Sequence, residues 1–271
     1  MLKRLTIVLL LAGFASSAGA QYSDSLFRSL KTIEGDIVGF TVDNLDNIYL
    51  VSSSNQLKKL NANGDSVAVF NDVKKYGQAT LIDVSNPLKV LLYYRDFATI
   101  VVLDRFLTVR NTIDLRKRNI LQVRAIGQSY DNKIWVYDEV ENKLKKIDDD
   151  GSLLLETPDF RQLFDPAPAP QQIFDEDQFV YLYDSSQAVY AFDYYGALKN
   201  KIPITHWNNF KVAGRYIYGS SGNLLYRYSI KTFREEQWTL PEQILHAKAF
   251  NFTSARLYAL RKDRIDIFDF H

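Results

Sequence analysis

Asn47-Ile-Tyr-Leu-Val51, Gln56-Leu-Lys-Lys-Leu60 and Asn61-Ala-Asn-Gly64 form one phrase in a chain of 271 residues. It reads as a short apolar run, a polar turn, a second run and a turn ending on glycine. The phrase returns as Lys133-Ile-Trp-Val-Tyr137, Lys143-Leu-Lys-Lys-Ile147 and Asp148-Asp-Asp-Gly151. It returns again as Phe179-Val-Tyr-Leu-Tyr183, Ala188-Val-Tyr-Ala-Phe192 and Asp193-Tyr-Tyr-Gly196. Runs rich in β-branched and aromatic residues, bounded by Asn, Asp and Gly, are strand and turn signals. Each phrase is therefore a β-hairpin that turns into a further strand.

Three weaker copies, around Leu92, Tyr218 and Tyr258, complete the set. The anchors Tyr49, Leu92, Trp135, Tyr181, Tyr218 and Tyr258 lie 43, 43, 46, 37 and 40 residues apart. Flanking runs such as Gly39–Asp43 and Ser66–Phe70 bring each unit to four strands. Four strands per ~40–45 residues is the period of a β-propeller blade. The predicted fold is all-β: a six-bladed β-propeller with four-stranded antiparallel blades. The last unit runs out after its third strand, about Ile265–Phe270, while a spare strand, about Leu26–Ile33, precedes the first. Joining that spare strand to the last blade closes the ring and protects its edge. Asp165-Pro-Ala-Pro-Ala-Pro170 is expected to be a stiff connector between the third and fourth blades.

The N-terminus carries an address. Met1-Leu-Lys-Arg4 is basic, Leu5–Phe14 is apolar, and Ala18-Gly19-Ala20 is a small-residue cleavage pattern. Residues 1–20 are expected to be a signal peptide and residues 21–271 a single propeller domain. The apolar run is about half the ~20 residues a membrane span needs. The chain has no Cys, which excludes disulfides, thiolate metal sites and a lipidated N-terminal Cys. The expected compartment is the periplasm, with no lipid anchor and no membrane insertion after cleavage. With 33 Lys+Arg against 32 Asp+Glu, the chain lacks the basic excess of a nucleic-acid binder.

Catalytic signatures are missing from the sequence. His206, His246 and His271 form no metal-binding spacing. Asp148-Asp-Asp-Gly151 aligns with less acidic turns, so it reads as a hairpin turn rather than a Ca²⁺ loop. The same applies to Asp43, Asp131 and Glu176, placed between first and second strands. The innermost strands offer Thr41, Asp83, Arg124, Asp175, Lys211 and Lys248, with no repeated acid pair. No catalytic, metal or cofactor site is assigned. Most aromatics fall on strands and are expected to pack between blades. Those assigned to turns or connectors, with one arginine, are the candidate partner-binding residues: Tyr94, Arg95, Phe97, Tyr194, Tyr195 and Trp207. Leu115-Arg-Lys-Arg-Asn119 is a basic turn.

In its repeat, and in the phrase Val42-Asp-Asn-Leu-Asp-Asn-Ile-Tyr-Leu-Val51, the chain resembles six-bladed NHL-like and lactonase-like propellers. Residues 86–104 and 132–138 are similar to small exported propellers of the Bacteroidota, which include a component associated with the type IX secretion system. That resemblance implies a non-enzymatic periplasmic subunit docking on outer-membrane or lipoprotein components of a secretion complex. The expected role is thus a protein-interaction scaffold without cofactor. A hydrolase or lyase acting on a sugar or lactone in the central channel, or a carbohydrate-binding module, stays open as an alternative.

Overall fold

The computed structural model describes residues 27–270. The expected signal peptide and His271 lie outside the described residues. Six four-stranded sheets form, each antiparallel throughout. The first blade holds β2 (Gly39–Val42), β3 (Ile48–Val51), β4 (Leu57–Leu60) and β5 (Ser66–Phe70). The second holds β6 (Leu81–Asn86), β7 (Lys89–Tyr94), β8 (Thr99–Asp104) and β9 (Val109–Asp114). The third holds β10 (Val123–Gln128), β11 (Ile134–Asp138), β12 (Lys143–Ile147) and β13 (Leu153–Glu156). The fourth holds β14 (Gln172–Glu176), β15 (Phe179–Asp184), β16 (Ala188–Phe192) and β17 (Leu198–Ile202). The fifth holds β18 (Asn208–Ala213), β19 (Tyr216–Ser221), β20 (Leu224–Ser229) and β21 (Glu235–Thr239).

The sixth blade contains β22 (Ala249–Phe252), β23 (Arg256–Leu260) and β24 (Arg264–Phe270). Its outer strand is β1 (Phe27–Glu34), paired antiparallel with β24 from Phe27↔Phe270 to Glu34↔Arg264. The expected closure is therefore present. Side chains add to the ladder: Thr32 Oγ1 donates to Asp266 at 2.8 Å, and Arg28 binds Asp269 at 2.6 Å.

The ring is held by apolar packing between neighbouring sheets. Each of six core clusters spans two adjacent blades, including one that joins Val42, Ile48 and Leu50 to Tyr258, Ile265 and Ile267 across the closure. A blade's second strand is covered on both faces and is largely apolar. Ile134-Trp-Val-Tyr-Asp138 is buried at every position. Outer strands face solvent, and Leu198-Lys-Asn-Lys-Ile202 is buried only at Ile202.

The turns from third to fourth strand repeat closely. Asn61, Asp104 and Asp193 each accept two backbone N–H bonds, from positions two and four ahead, at 2.8–3.0 Å. Gly64, Gly151 and Gly196 occupy the left-handed region there, with φ of 81°, 82° and 84°. The Asp148–Gly151 segment is thus a hairpin turn, as expected, with Asp148 held by Lys133 at 2.7 Å. The proline-rich segment is an inter-blade connector pinned at both flanks. Tyr137 donates to the Pro168 carbonyl at 2.5 Å, and the Ala169 N–H donates to Asp184 at 2.7 Å.

Candidate functional site

The six innermost strands surround a channel of about 790 Å³, to which they contribute Thr41, Asp83, Ile126, Phe174, Lys211 and Asn251. Phe210 and Val212 are buried on one side of β18, so alternation turns Lys211 the other way, toward the sixth blade. Its Nζ donates to Asn251 Oδ1 and to the Val42 carbonyl, both at 3.3 Å. Asn251 Nδ2 donates onward to Thr41 Oγ1 at 3.3 Å, linking blades five, six and one.

Three carboxyl groups line the same channel, Asp43, Asp83 and Glu176. Asp83 accepts the Ser85 N–H at 2.7 Å and the Gln128 N–H at 2.6 Å. Burial raises its pKa against the pull of those bonds. Glu176 accepts the Gly214 N–H and is likewise raised by burial. Burial acts oppositely on the Lys211 amine and lowers it to about 8, against the attraction of Asp43, Glu176, Asp83 and Asp46. A lysine between two buried apolar residues of an innermost strand was the available sequence signal. Nothing in the spacing marks Asp83 or Glu176 as its companions.

The remaining innermost-strand candidates do other work. Asp175 accepts from Trp135 Nε1 at 2.9 Å, Ser129 Oγ at 2.9 Å and Tyr194 OH at 2.7 Å, tying blades three and four. Arg124 pairs with Glu139 at 2.6 Å. Asp43 folds its own turn, accepting the Leu45 and Asn47 N–H groups at 2.9 Å. Asp131 pairs with Lys146 at 2.7 Å. Lys248 is exposed, as are His206 and His246, which sit on separate inter-blade connections.

The candidate partner-binding residues do not form one cluster. Tyr94 is the last residue of β7, is 3% exposed and belongs to the core between blades one and two. Trp207 is 8% exposed and stacks on Tyr226 at 4.9 Å over Gly219, where a Cβ would come within 2.7 Å of the indole. These two are core residues, a correction to their placement as open turn and connector side chains. Tyr194 stacks on Tyr130 at 4.4 Å, and with Trp135 the two rings surround the Lys146 ammonium. Tyr195 is 88% exposed in the β16–β17 turn. Arg95 and Phe97 form a 3₁₀ turn between β7 and β8, at the opposite end of the strands from Tyr195.

That turn meets the basic turn of the sequence. Leu115–Arg118 is a second 3₁₀ turn, and the Leu115 N–H donates to the Ala98 carbonyl at 2.9 Å. Leu115 is buried beneath it, Phe97 is 42% exposed, and Arg95, Arg116, Lys117 and Arg118 are exposed. Among the described residues, neither Arg95 nor Lys117 has a carboxylate partner within 4.0 Å. The result is one basic ridge with an aromatic at its edge, on the second blade.

No protein-family model and no curated protein matches the chain. Solved structures do. Virginiamycin B lyase from Staphylococcus aureus aligns with a TM-score of 0.61 at 11% identity, over 89% of this chain and 99% of that one. The WD40 domain of Neurospora crassa Pan2 aligns at 0.59 and 11% identity, over 87% and 79%. The β-propeller domain of Cps50 (Swd1) from Myceliophteria thermophila aligns at 0.58 and 9% identity, over 90% and 100%. At such identities the likeness is one of architecture. It extends from lyases to WD40 domains, and with the six closed blades it makes this chain a six-bladed β-propeller.

Proposed function

We propose that the chain is a non-catalytic protein-interaction scaffold of the cell envelope. It works in the periplasm after loss of residues 1–20, as a subunit of an outer-membrane secretion machinery of the type IX kind. The contact between the Arg95–Phe97 turn and the Leu115–Arg118 turn supports this above all, since it joins two turns that expose Phe97 with Arg95 and Lys117, cations without a carboxylate partner among the described residues. Arginine and aromatic side chains presented together are the residue types of docking hot spots. The complementary partner surface is acidic with an apolar centre, on an outer-membrane or lipoprotein component. The secretion assignment rests on the resemblance of residues 86–104 and 132–138 to the PorD-like propellers.

Affinity purification of the exported protein from its native envelope tests the scaffold role. Recovery of a stoichiometric partner, lost in the Arg95→Glu/Phe97→Ala double variant, is the expected result. Recovery as a free monomer sinks the proposal. Mapping the exported N-terminus to Gln21 tests the compartment. The rival reading, a hydrolase or lyase acting on a sugar or lactone, draws on Asp83 and Glu176 in the channel. Substrate turnover abolished by Asp83→Asn would replace the scaffold with an enzyme.

A further inference from the structure

Lysines of low exposure differ in how they are neutralised, and Lys59, which lies outside the channel, meets the Pro87 and Arg105 carbonyls at 3.5 and 3.1 Å. Lys145 sits on Asp138 and Glu141, both at 2.8 Å. Lys146 sits on Asp131 at 2.7 Å. Lys211 faces the channel with only a carbonyl and an amide oxygen at 3.3 Å, and no carboxylate within ion-pair distance among the described residues. The channel it lines mixes apolar residues such as Ile82 and Phe174 with the charged Asp43, Asp83, Glu176, Arg215 and Arg227 and with neutral polar groups. Two of these, Gln172 Oε1 and Thr253 Oγ1, are buried with no hydrogen-bond partner among the described residues.

The geometry points to Lys211 as a site of reversible covalent capture, where its amine condenses with a small hydroxylated aldehyde or ketone to form an imine. The inference is independent of the docking ridge. Nζ attacks the carbonyl carbon, the C=O π pair moves to oxygen, and a proton passes from nitrogen to oxygen. The carbinolamine then loses its hydroxyl as water while the C=N bond forms, with no net oxidation or reduction. The proton that leaves with the hydroxyl comes from the amine nitrogen or from a channel carboxyl, Asp83 and Glu176 being the two whose pKa burial raises. The ligand's own hydroxyls match Gln172, Thr253, Asn251 and Thr41.

The amine chemistry supports this selectivity. Burial lowers the Lys211 amine to about 8, so far more of it is neutral near pH 7.5 than of an exposed lysine. An ordinary lysine near 10.4 is neutral in about one in a thousand. Neutral amine is the nucleophile, and a desolvated lysine is a recognised way to obtain it.

The test treats the exported full chain with glycolaldehyde and sodium cyanoborohydride, which reduces the imine to a stable secondary amine. Peptide mapping then locates the adduct. Lys211 should be modified about a hundredfold faster than the exposed Lys117, with a rate that rises through pH 8. Lys211→Met should lose that fast adduct. Labelling of Lys211 no faster than Lys117 in the unmodified sequence, a comparison that needs no variant to fold, overturns the proposal.

Discussion

Asp175 connects two blades through one carboxylate, receiving an indole N–H, a serine hydroxyl and a tyrosine hydroxyl. Hydrogen bonds to a charged acceptor contribute about 1.5–3 kcal/mol each, and losing the acceptor leaves its donors unpaired. Asp175→Ala should therefore destabilise the protein by about 3 kcal/mol, read as a lower urea midpoint, with Asp175→Asn less severe. An unchanged midpoint would show that water replaces the carboxylate. In the sequence, Asp175 and Lys211 look alike, as charged residues on innermost strands. What separates them is the neighbouring blade, and its side chains arrive from about 40 residues away. Tyr94 and Trp207 illustrate the same limit. A turn position says where the backbone runs, whereas burial depends on what packs over it.

Strands and turns were far more legible than sites. The second strands, such as Ile134–Asp138 and Phe179–Asp184, announce themselves because both faces are covered and apolar residues dominate them. The outer strands, such as Glu235-Glu-Gln-Trp-Thr239, face water and carry little pattern. The third-to-fourth turns were legible because an Asx acceptor and a left-handed glycine recur at fixed spacing. Gly151 has φ 82°, and a Cβ there would approach Ile113 Cγ2 to 2.8 Å. Gly151→Ala should cost about 1–3 kcal/mol in thermal or urea unfolding, with the ring otherwise intact. The larger element is β1. Removing Phe27–Glu34 strips a buried phenylalanine and a whole ladder from β24. The truncated protein should lose at least about 3 kcal/mol and associate through the bared edge, which size-exclusion chromatography would register. A stable truncated monomer would mean that the last blade holds without its clasp.

Across the whole molecule, the aromatic content becomes an alkaline liability. Burial raises the phenols of Tyr49, Tyr137 and Tyr258 above their usual range, and those of Tyr94 and Tyr181 to about 12. The folded state keeps these protons after the unfolded chain has begun to release them near pH 10. Their contribution is complete below pH 10 and is lost as pH rises through the folded values. Five such groups remove up to about 7 kcal/mol per pH unit in that window. Lys211 acts in the opposite sense between about 8 and 10.5, but it is one proton against five. Denaturant midpoints should fall steeply between pH 10 and 12, and a flat profile would contradict the burial of these rings. The clasp has a temporal meaning too. Arg28 bonds to Asp269 across 241 positions, so this contact has nearly the highest sequence separation the chain permits. β1 has no partner until β24 joins it, and the loop-closure entropy that pairing must overcome is correspondingly large. Five blades have all their strands before the sixth can be finished. Blade six is therefore the sheet whose completion requires both ends of the described chain together.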